Sequence, residues 1–495
     1  MLSDYQRYRF YEILPGLSVW FTLIGSLVLT FVRPLWMIYF IIVFDVYWLL
    51  KVLNFSFSLL VSWRRYYRAK KVDWKDRLFT DIPDWKTKHQ VVFLTLYNEP
   101  WGVVKTSLHS IRASMYDEKQ FIIVVAGEER KREHYEEILV QTREELKGCQ
   151  AVIIGTMHPA NLEGEIPGKG SNLHYSEQEI QKYLDQKGLN YDNVIATMFD
   201  IDTVVHAQYF SYLAYVYCRN PHPTRTSYQP IALYNNNLWE SPSVLRLMAF
   251  GTTFWTFTML ARQDALVTFS SHSMSFRAIV DAGYHEKRIV SEDSRIFYQC
   301  LLAYKGDYHV MPLYIPVSMD TVRDDTWWKS IKNLYRQQRR WAWGAEHVPF
   351  LLWEFRKRGK EIPFWIKFKW LFVEWEGKWS WCCVAILVTI LGRLPMYLAP
   401  ESVRQSALYF NAPFVLEHLM TIAMVGMFLS AGLSFPLLPP LPKSRPKHHY
   451  LLMLGQWALL PFSMLLVSSI PAIDAITHLM LGKYLGFNVS LKKRL

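Results

Sequence analysis

Apolar residues gather in long runs at the two ends of this chain and in shorter runs through its middle, and the two patterns predict different structures. Residues 14–32 form an apolar stretch of about 19 residues, long enough as a helix to cross a hydrocarbon core of ~30 Å. A second run, residues 35–61, begins at once after Arg33-Pro34. No small-residue cleavage site separates the two, so the pair predicts a membrane hairpin and not a removed signal. Between residues 85 and 345 short apolar runs alternate with amphipathic ones: strands are expected over residues 91–96, 121–125, 152–155 and 194–199, and helices over 130–146 and 172–184. Such alternation predicts a parallel α/β sheet, whose ligands bind at the carboxyl ends of the strands. Residues 350–379 interleave Trp353, Phe355, Trp365, Phe368 and Trp370 with Glu354, Arg356, Lys357, Arg358, Lys367 and Lys369. That mixture is too charged to span and suits helices lying in the membrane interface. Further spans are expected at about residues 381–398, 413–436 and 451–470. The chain thus divides into a transmembrane hairpin (1–70), an α/β domain (85–345), interfacial amphipathic helices (346–380), and C-terminal transmembrane helices with a basic tail (381–495).

Charge adds an orientation. The 55 lysines and arginines exceed the 43 acidic residues, a formal +12, but they form no stripe along a periodic element, so nucleic acid is not expected as a partner. They sit beside the apolar runs, as Arg64, Arg65, Arg68, Lys70 and Lys71 do after the hairpin, and Lys443, Arg445 and Lys447 between the last two spans. Loops retained in the cytoplasm are enriched in this way, which puts the N-terminus and the α/β domain on the cytoplasmic side. One conflict follows. Three C-terminal spans starting inside leave the tail outside, whereas Lys492-Lys493-Arg494 favours the inside; either a segment is re-entrant or a crossing is missed. Asp45, within the second span, is expected to face protein or a polar cavity. Five cysteines without C-x-x-C spacing give neither a disulfide framework nor a zinc site.

The candidate chemistry lies in the middle of the chain. Asp200-Ile201-Asp202 follows the apolar run 194–198, so two carboxylates stand where a strand ends and can hold a hard divalent cation together with phosphate oxygens. A capped turn is the plain alternative. Upstream, Gly168-Lys169-Gly170-Ser171-Asn172 is a glycine-bearing loop with a cation that opens a helix, a setting suited to phosphates or ribose hydroxyls. Tyr97-Asn98-Glu99 ends the first strand and is expected to face the same crevice. Downstream, Ser291-Glu292-Asp293 opens a helical run, and Gln337-Gln338-Arg339-Arg340-Trp341 gives a Q-x-x-R-W pattern just before the interfacial stretch. No H-E-x-x-H, Walker loop or G-x-S-x-G competes with this set.

In this order, and flanked by spans, these motifs resemble those of the membrane-integrated family 2 glycosyltransferases: cellulose, chitin and hyaluronan synthases and ceramide glucosyltransferase. The resemblance covers about residues 85–345. It implies a GT-A (Rossmann-like) glycosyltransferase domain flanked by transmembrane α-helices, inverting transfer, and a nucleotide-diphosphate sugar donor, most often a UDP-sugar. It further implies that Asp200 and Asp202 hold Mg²⁺ or Mn²⁺ with the donor diphosphate, and that Asp293 is the general base with Glu292 beside it. Gln337 and Arg340 then lie near the diphosphate, Trp341 beneath the acceptor sugar, and Lys169, Asn172, Asn98 and Glu99 on the donor side. Two positions depart from the family's pattern. The second strand ends Ala126-Gly127-Glu128-Glu129 where an aspartate contacts the nucleobase, so Glu128 or Glu129 substitutes. The run Ser270-Ser271-His272-Ser273-Met274 replaces a glycine-containing acceptor loop, with His272 as an acceptor contact or a structural histidine. The expected function is elongation of a polysaccharide at the cytoplasmic membrane face. The alternatives are transfer of one sugar to a lipid and, from another class, a catalytically inactive membrane partner or transport subunit.

Overall fold

The computed structural model describes residues 3–486, so the basic tail Lys492-Lys493-Arg494 lies outside the described residues. The chain opens with two long helices, α1 (Asp4–Val32) and α2 (Pro34–Lys70). Ser3 caps the first: its hydroxyl accepts from the Gln6 N–H, and the Gln6 side chain accepts from the Ser3 N–H. Pro34, without an N–H to continue the ladder of α1, is the first residue of α2. The hairpin read from the apolar runs is therefore present, and its second helix is long enough to run past the membrane onto the next domain.

That domain holds one eight-stranded sheet: β1 (His89–Thr95), β2 (Phe121–Glu128), β3 (Val152–His158), β4 (Val194–Asp200), β5 (Val204–Val205), β6 (Thr226–Tyr234), β7 (Ser273–Ser275) and β8 (His309–Met319), in the order β3-β2-β1-β4-β7-β6-β8-β5. β3, β2, β1 and β4 are parallel; the near-continuous apolar sequences of β1, β2 and β4 follow from burial on both faces, while β3 is the partly exposed edge. The other half is mixed, which corrects the all-parallel expectation: β7 runs antiparallel to β4 and β6, β6 runs parallel to β8, and β5 closes the edge antiparallel to β8. The β6/β8 ladder shifts register at Pro230, where proline has no N–H to donate. Four helices around this sheet matter below: α3 (Lys169–Gln186), α4 (Ser243–Ala261), α5 (Glu292–Ala303) and α6 (Trp327–Ala342).

Beyond the sheet come α7 (His347–Lys357), α8 (Phe364–Ile386) and α9 (Ala407–Ser434), then a broken helical segment from His449 to α10 (Ile470–Met480). Among the described residues six helices are long and apolar enough to cross a membrane. Two of them start and finish on the α/β domain. One is α4, which connects β6 to β7 and packs Phe257 against Trp63 and Tyr66 of α2, with ring centroids 5.6 and 5.8 Å apart. The other is the segment from His449 to Met480. At its start Tyr450 sits edge-on to Trp239 and Gln456 accepts from Arg246 Nε at 2.9 Å. At its end Asp474 pairs with Arg339 at 3.0 Å, and Arg9, near the start of α1, donates to the Met480 carbonyl at 3.0 Å. The expected third C-terminal span, residues 451–470, lies within this segment, and both ends of the segment meet residues of the α/β domain.

Candidate active site

Each candidate residue stands at an element end for a local reason. Asp200 is the last residue of β4, where the ladder with β1 stops, and Asp202 lies in the turn beyond. Lys169 is the first residue of α3, and Gly170 follows because a Cβ there would meet the Glu286 carbonyl at 2.7 Å and the Glu292 Cβ at 3.1 Å. This close approach brings α3 against the start of α5. As a result the Lys169 ammonium lies between two carboxylates, 2.7 Å from Asp200 Oδ1 and 2.9 Å from Asp293 Oδ1. Burial opposes the Lys169 charge, but Asp200, Asp293 and Glu292 more than offset it and hold the ammonium above its ordinary range.

The remaining groups sort by what they touch. Asp200 Oδ2 accepts from Ser270 Oγ at 2.8 Å, so both its oxygens are engaged. Asp202 is fully buried, and its Oδ2 accepts from the Asp320 backbone N–H at 2.8 Å. Asp293 has its carbonyl held by Thr268 Oγ1 at 2.6 Å. Glu292 is 1% exposed, and neither of its carboxylate oxygens makes a hydrogen bond. Burial, and then the neighbouring Asp293 charge, push its carboxyl up to about 7 against the pull of Lys169 and Arg340. Arg340 therefore acts on the same cluster from α6. Gln337 and Trp341, also on α6, line a small cleft of about 20 Å³ beside Tyr234.

Other candidates are placed differently. Asn172 is buried and donates to the Ala126 carbonyl at 2.8 Å, tying α3 to β2. Asn98 is exposed, and Glu99 folds back to accept from the Tyr97 and Asn98 N–H groups at 2.8 and 3.1 Å. Glu128, at the end of β2, pairs with Arg130, whose guanidinium lies 5.3 Å from the Tyr97 ring centroid. Glu129 instead accepts from the Ala160 N–H and from Arg132. His272 has no exposed surface: its Nδ1 is 3.1 Å from the Phe269 carbonyl and its ring 5.9 Å from that of His285. Burial, and then the charges of His285 and Lys169, keep this imidazole well below its ordinary range. His272 thus turns into the protein interior, with Asp200 among the charges that act on it.

Several groups carried no sequence signal. Asp320, just past the end of β8, stands in no motif, and Ser270 belongs to the run 270–274 without any sign there of its contact with Asp200. Glu346 accepts from Ser291, just before Glu292-Asp293, at 2.6 Å and from the Trp343 indole, just after Trp341, at 2.9 Å, and so ties the two motifs together. Ser294 and His347 join the same elements at 2.7 Å. Among the described residues no group of three or more His, Cys, Asp or Glu side chains is arranged to hold a metal.

Comparison with known proteins agrees with this arrangement. Residues 195–435 match the family model described as glycosyl transferase family group 2, a stretch just under half of the chain that holds Asp200, Asp202, Glu292, Asp293, Gln337, Arg340 and Trp341. The resemblance to family 2 glycosyltransferases that the motifs carry therefore stands. No curated protein matches the sequence. Among solved structures, the mannosyltransferase PcManGT from Pyrobaculum calidifontis, in complex with GDP-Man and Mn²⁺, is 15% identical, with 90% of this chain and 100% of that chain covered and a TM-score of 0.44. TarS 1–349 of S. aureus is 10% identical, with 75% and 91% covered and a TM-score of 0.35. Likenesses this distant carry no argument about donor, metal or acceptor here.

Proposed function

We propose that the protein is an inverting, metal-dependent glycosyltransferase that moves a sugar from a nucleotide-diphosphate donor to an acceptor hydroxyl at the cytoplasmic face of a membrane. The observation that carries this reading is the Lys169 bridge, one buried ammonium joining carboxylates 31 and 124 residues away in sequence. In the reaction the acceptor oxygen bonds to the anomeric carbon, the bond from that carbon to the diphosphate breaks with its electron pair leaving on the diphosphate, and the hydroxyl proton passes to Asp293. Lys169 and Arg340 face the charge that develops on the leaving group from fixed positions, so little reorganisation is needed as it forms. Donor phosphates also offer Lys169 a second partner, which releases Asp293 to take the proton.

The carboxylates fit a divalent cation in one mode. Asp200, the more exposed of the two, and Asp202 would hold the cation together with donor phosphate oxygens, once the donor draws Lys169 away from Asp200. Bound there, Mg²⁺ or Mn²⁺ would neutralise charge on the departing diphosphate. A UDP-sugar is the donor the motifs suggest, with Glu128, beside Arg130 and Tyr97, as the carboxylate on the nucleobase side. The basic end of α2 (Arg64, Arg65, Arg68, Lys70) supports the cytoplasmic placement. An elongating polysaccharide needs a path across the bilayer, and with two of the six candidate helices held at both ends on the α/β domain, transfer of a single sugar is the reading we favour instead. The assembled Lys169–Asp200–Asp293 cluster speaks against an inactive partner subunit. The test is nucleotide release by purified protein in nanodiscs with a panel of UDP- and GDP-sugars, with and without Mn²⁺ or Mg²⁺. Metal-dependent release from one donor class is expected; no release from any donor removes the reading.

A further inference from the structure

Of the six candidate spans, α9 is the least covered. Only 11% of its most apolar stretch is buried, against 28–56% in the other five. Its packed face lies along α2: Ala412 and Leu416 are buried, and a Cβ on Gly426 would meet Val52 Cγ1 at 2.8 Å and Ser56 Oγ at 3.0 Å. Both helices run toward the α/β domain. α2 starts at the Arg33-Pro34 turn, α9 after the loop that holds Glu401 and Arg404, and just past α9 the Leu437 carbonyl accepts from Asn235. The outward face of α9 carries two ionisable residues, Glu417 and His418. Glu417 is ten residues past Ala407, about 15 Å along the helix. It is also nine residues before Gly426, which sets it level with Asp45 of α2. Half of a ~30 Å hydrocarbon core is too deep for a short glutamate to reach water. Asp45 is turned into the protein, as intramembrane acids ordinarily are, whereas Glu417 is exposed and its carboxyl has no partner among the described residues.

We infer that α9 is the contact through which two copies of this chain associate side by side in the membrane, an inference independent of the transferase reading. The outward residues Phe410, Phe414, Glu417, Thr421, Met424 and Phe428 are spaced four and three apart in turn, the period of two helices packed at a left-handed crossing of ~20°. In that packing each seam residue enters a hole formed by four residues of the facing helix. For Glu417 the hole is Phe414, Glu417, His418 and Thr421 of the second copy. His418 Nδ1 lies 2.7 Å from the Phe414 carbonyl and donates there, which leaves Nε2 to accept from a carboxyl. A two-fold axis along the membrane normal repeats the contact, so Glu417 of each copy shares a proton with His418 of the other. That reciprocity selects a second copy over an unrelated helix. An acid and a base adjacent on one outward face complement each other under a two-fold, whereas a foreign helix would have to supply both groups at one level.

The experiment uses the full chain in phosphatidylcholine vesicles. The dimer fraction is read against lipid dilution by energy transfer between labelled copies, and separately by oxidative cross-linking of single cysteine substitutions. A dimer that dissociates only on dilution is expected. Met424→Cys, on the seam, should cross-link to a dimer above the wild-type background, and Ile422→Cys, exposed but off the seam, should not. Glu417→Leu should raise the dimer dissociation constant about tenfold or more, since it removes both reciprocal contacts. The exchange Glu417→His with His418→Glu keeps an acid and a base on the same face and should recover most of that loss. Monomers at every dilution overturn the inference, as does equal cross-linking from Met424→Cys and Ile422→Cys. Association of Glu417→Leu as tight as wild type, or an exchange variant as weak as Glu417→Leu, overturns it too. Cross-linking in native membranes to a different protein and never to a second copy gives the face to that protein and overturns it likewise. The wild-type dilution and the cysteine pair decide the matter whether or not the Glu417 variants fold.

Discussion

Replacing Lys169 by methionine keeps an unbranched side chain and removes the charge at the centre of the site. The wild-type ammonium lies 2.7 Å from Asp200 and 2.9 Å from Asp293, and its side chain is 9% exposed. Without it these carboxylates and Glu292 face one another with no cation between them. Breaking a buried pair by removing one partner costs ~3–5 kcal/mol, and because the two aspartates keep some exposure the lower end, ~3 kcal/mol, is expected. The cost depends on pH. Lys169 is one of the charges that restrain the Glu292 carboxyl, which burial and Asp293 push up to about 7. A carboxyl whose folded pKa lies above its unfolded value contributes stability that is complete below the unfolded value and is lost as pH rises through the folded one. Removing Lys169 raises the folded value further, so the deficit of Lys169→Met relative to wild type should grow as pH rises past about 7. The assay is the unfolding temperature of purified protein at pH 6 and pH 8, with donor turnover measured in parallel. Lys169→Arg, which returns a charge with different geometry, should recover more stability than activity. A Lys169→Met protein that unfolds like wild type at both pH values and turns donor over normally would refute the bridge as the organising contact.

Three further outcomes follow from the same geometry. EDTA should abolish donor turnover and Mn²⁺ or Mg²⁺ should restore it, with Asp200→Asn weakening nucleotide binding as well as rate; full activity in chelator excludes the metal role. Glu292→Gln removes a carboxyl that loses stability as pH climbs through about 7, so the unfolding temperature of the variant should rise relative to wild type between pH 6 and pH 8. A difference that does not change with pH would contradict the buried, unpartnered environment. Trp341→Ala should cut transfer while nucleotide release and membrane integration persist, whereas Trp353→Ala, edge-on to Tyr8 at 5.8 Å, should matter much less. Equal and mild effects would reduce Trp341 to an interfacial anchor.

What sequence made legible was whatever a local pattern encodes. β1, β2 and β4 are continuous apolar runs because a parallel sheet is covered on both faces, and their ends, like those of the edge strand β3, agree with the apolar runs to within a few residues. The second half of the sheet left no such trace. β7 is only Ser273-Met274-Ser275, and β8 carries Pro312 and Pro316. Hydropathy was also silent on contacts at one place: the stretch from His449 to Met480 is as apolar as a span, and its two ends meet Trp239, Arg246, Arg339 and Arg9. Apolar composition records that a face is covered, not whether lipid or protein covers it. The motifs named the elements that meet at the site, but not their contacts. That Lys169 would bridge Asp200 and Asp293, that Asn172 would spend its amide on a strand carbonyl, and that His272 would turn inward all depend on partners distant in sequence.

The central claim is that Asp293 takes the acceptor proton in a nucleotide-sugar-dependent transfer, and Asp293→Asn tests it most directly, because the amide keeps the shape of the side chain and cannot accept that proton. Product formation and nucleotide affinity are measured on the same preparation. The account predicts a fall of ~10²–10⁴ in transfer rate, the usual cost of losing a general base, with nucleotide affinity changed little. Normal transfer by Asp293→Asn, with or without weakened nucleotide binding, would contradict it.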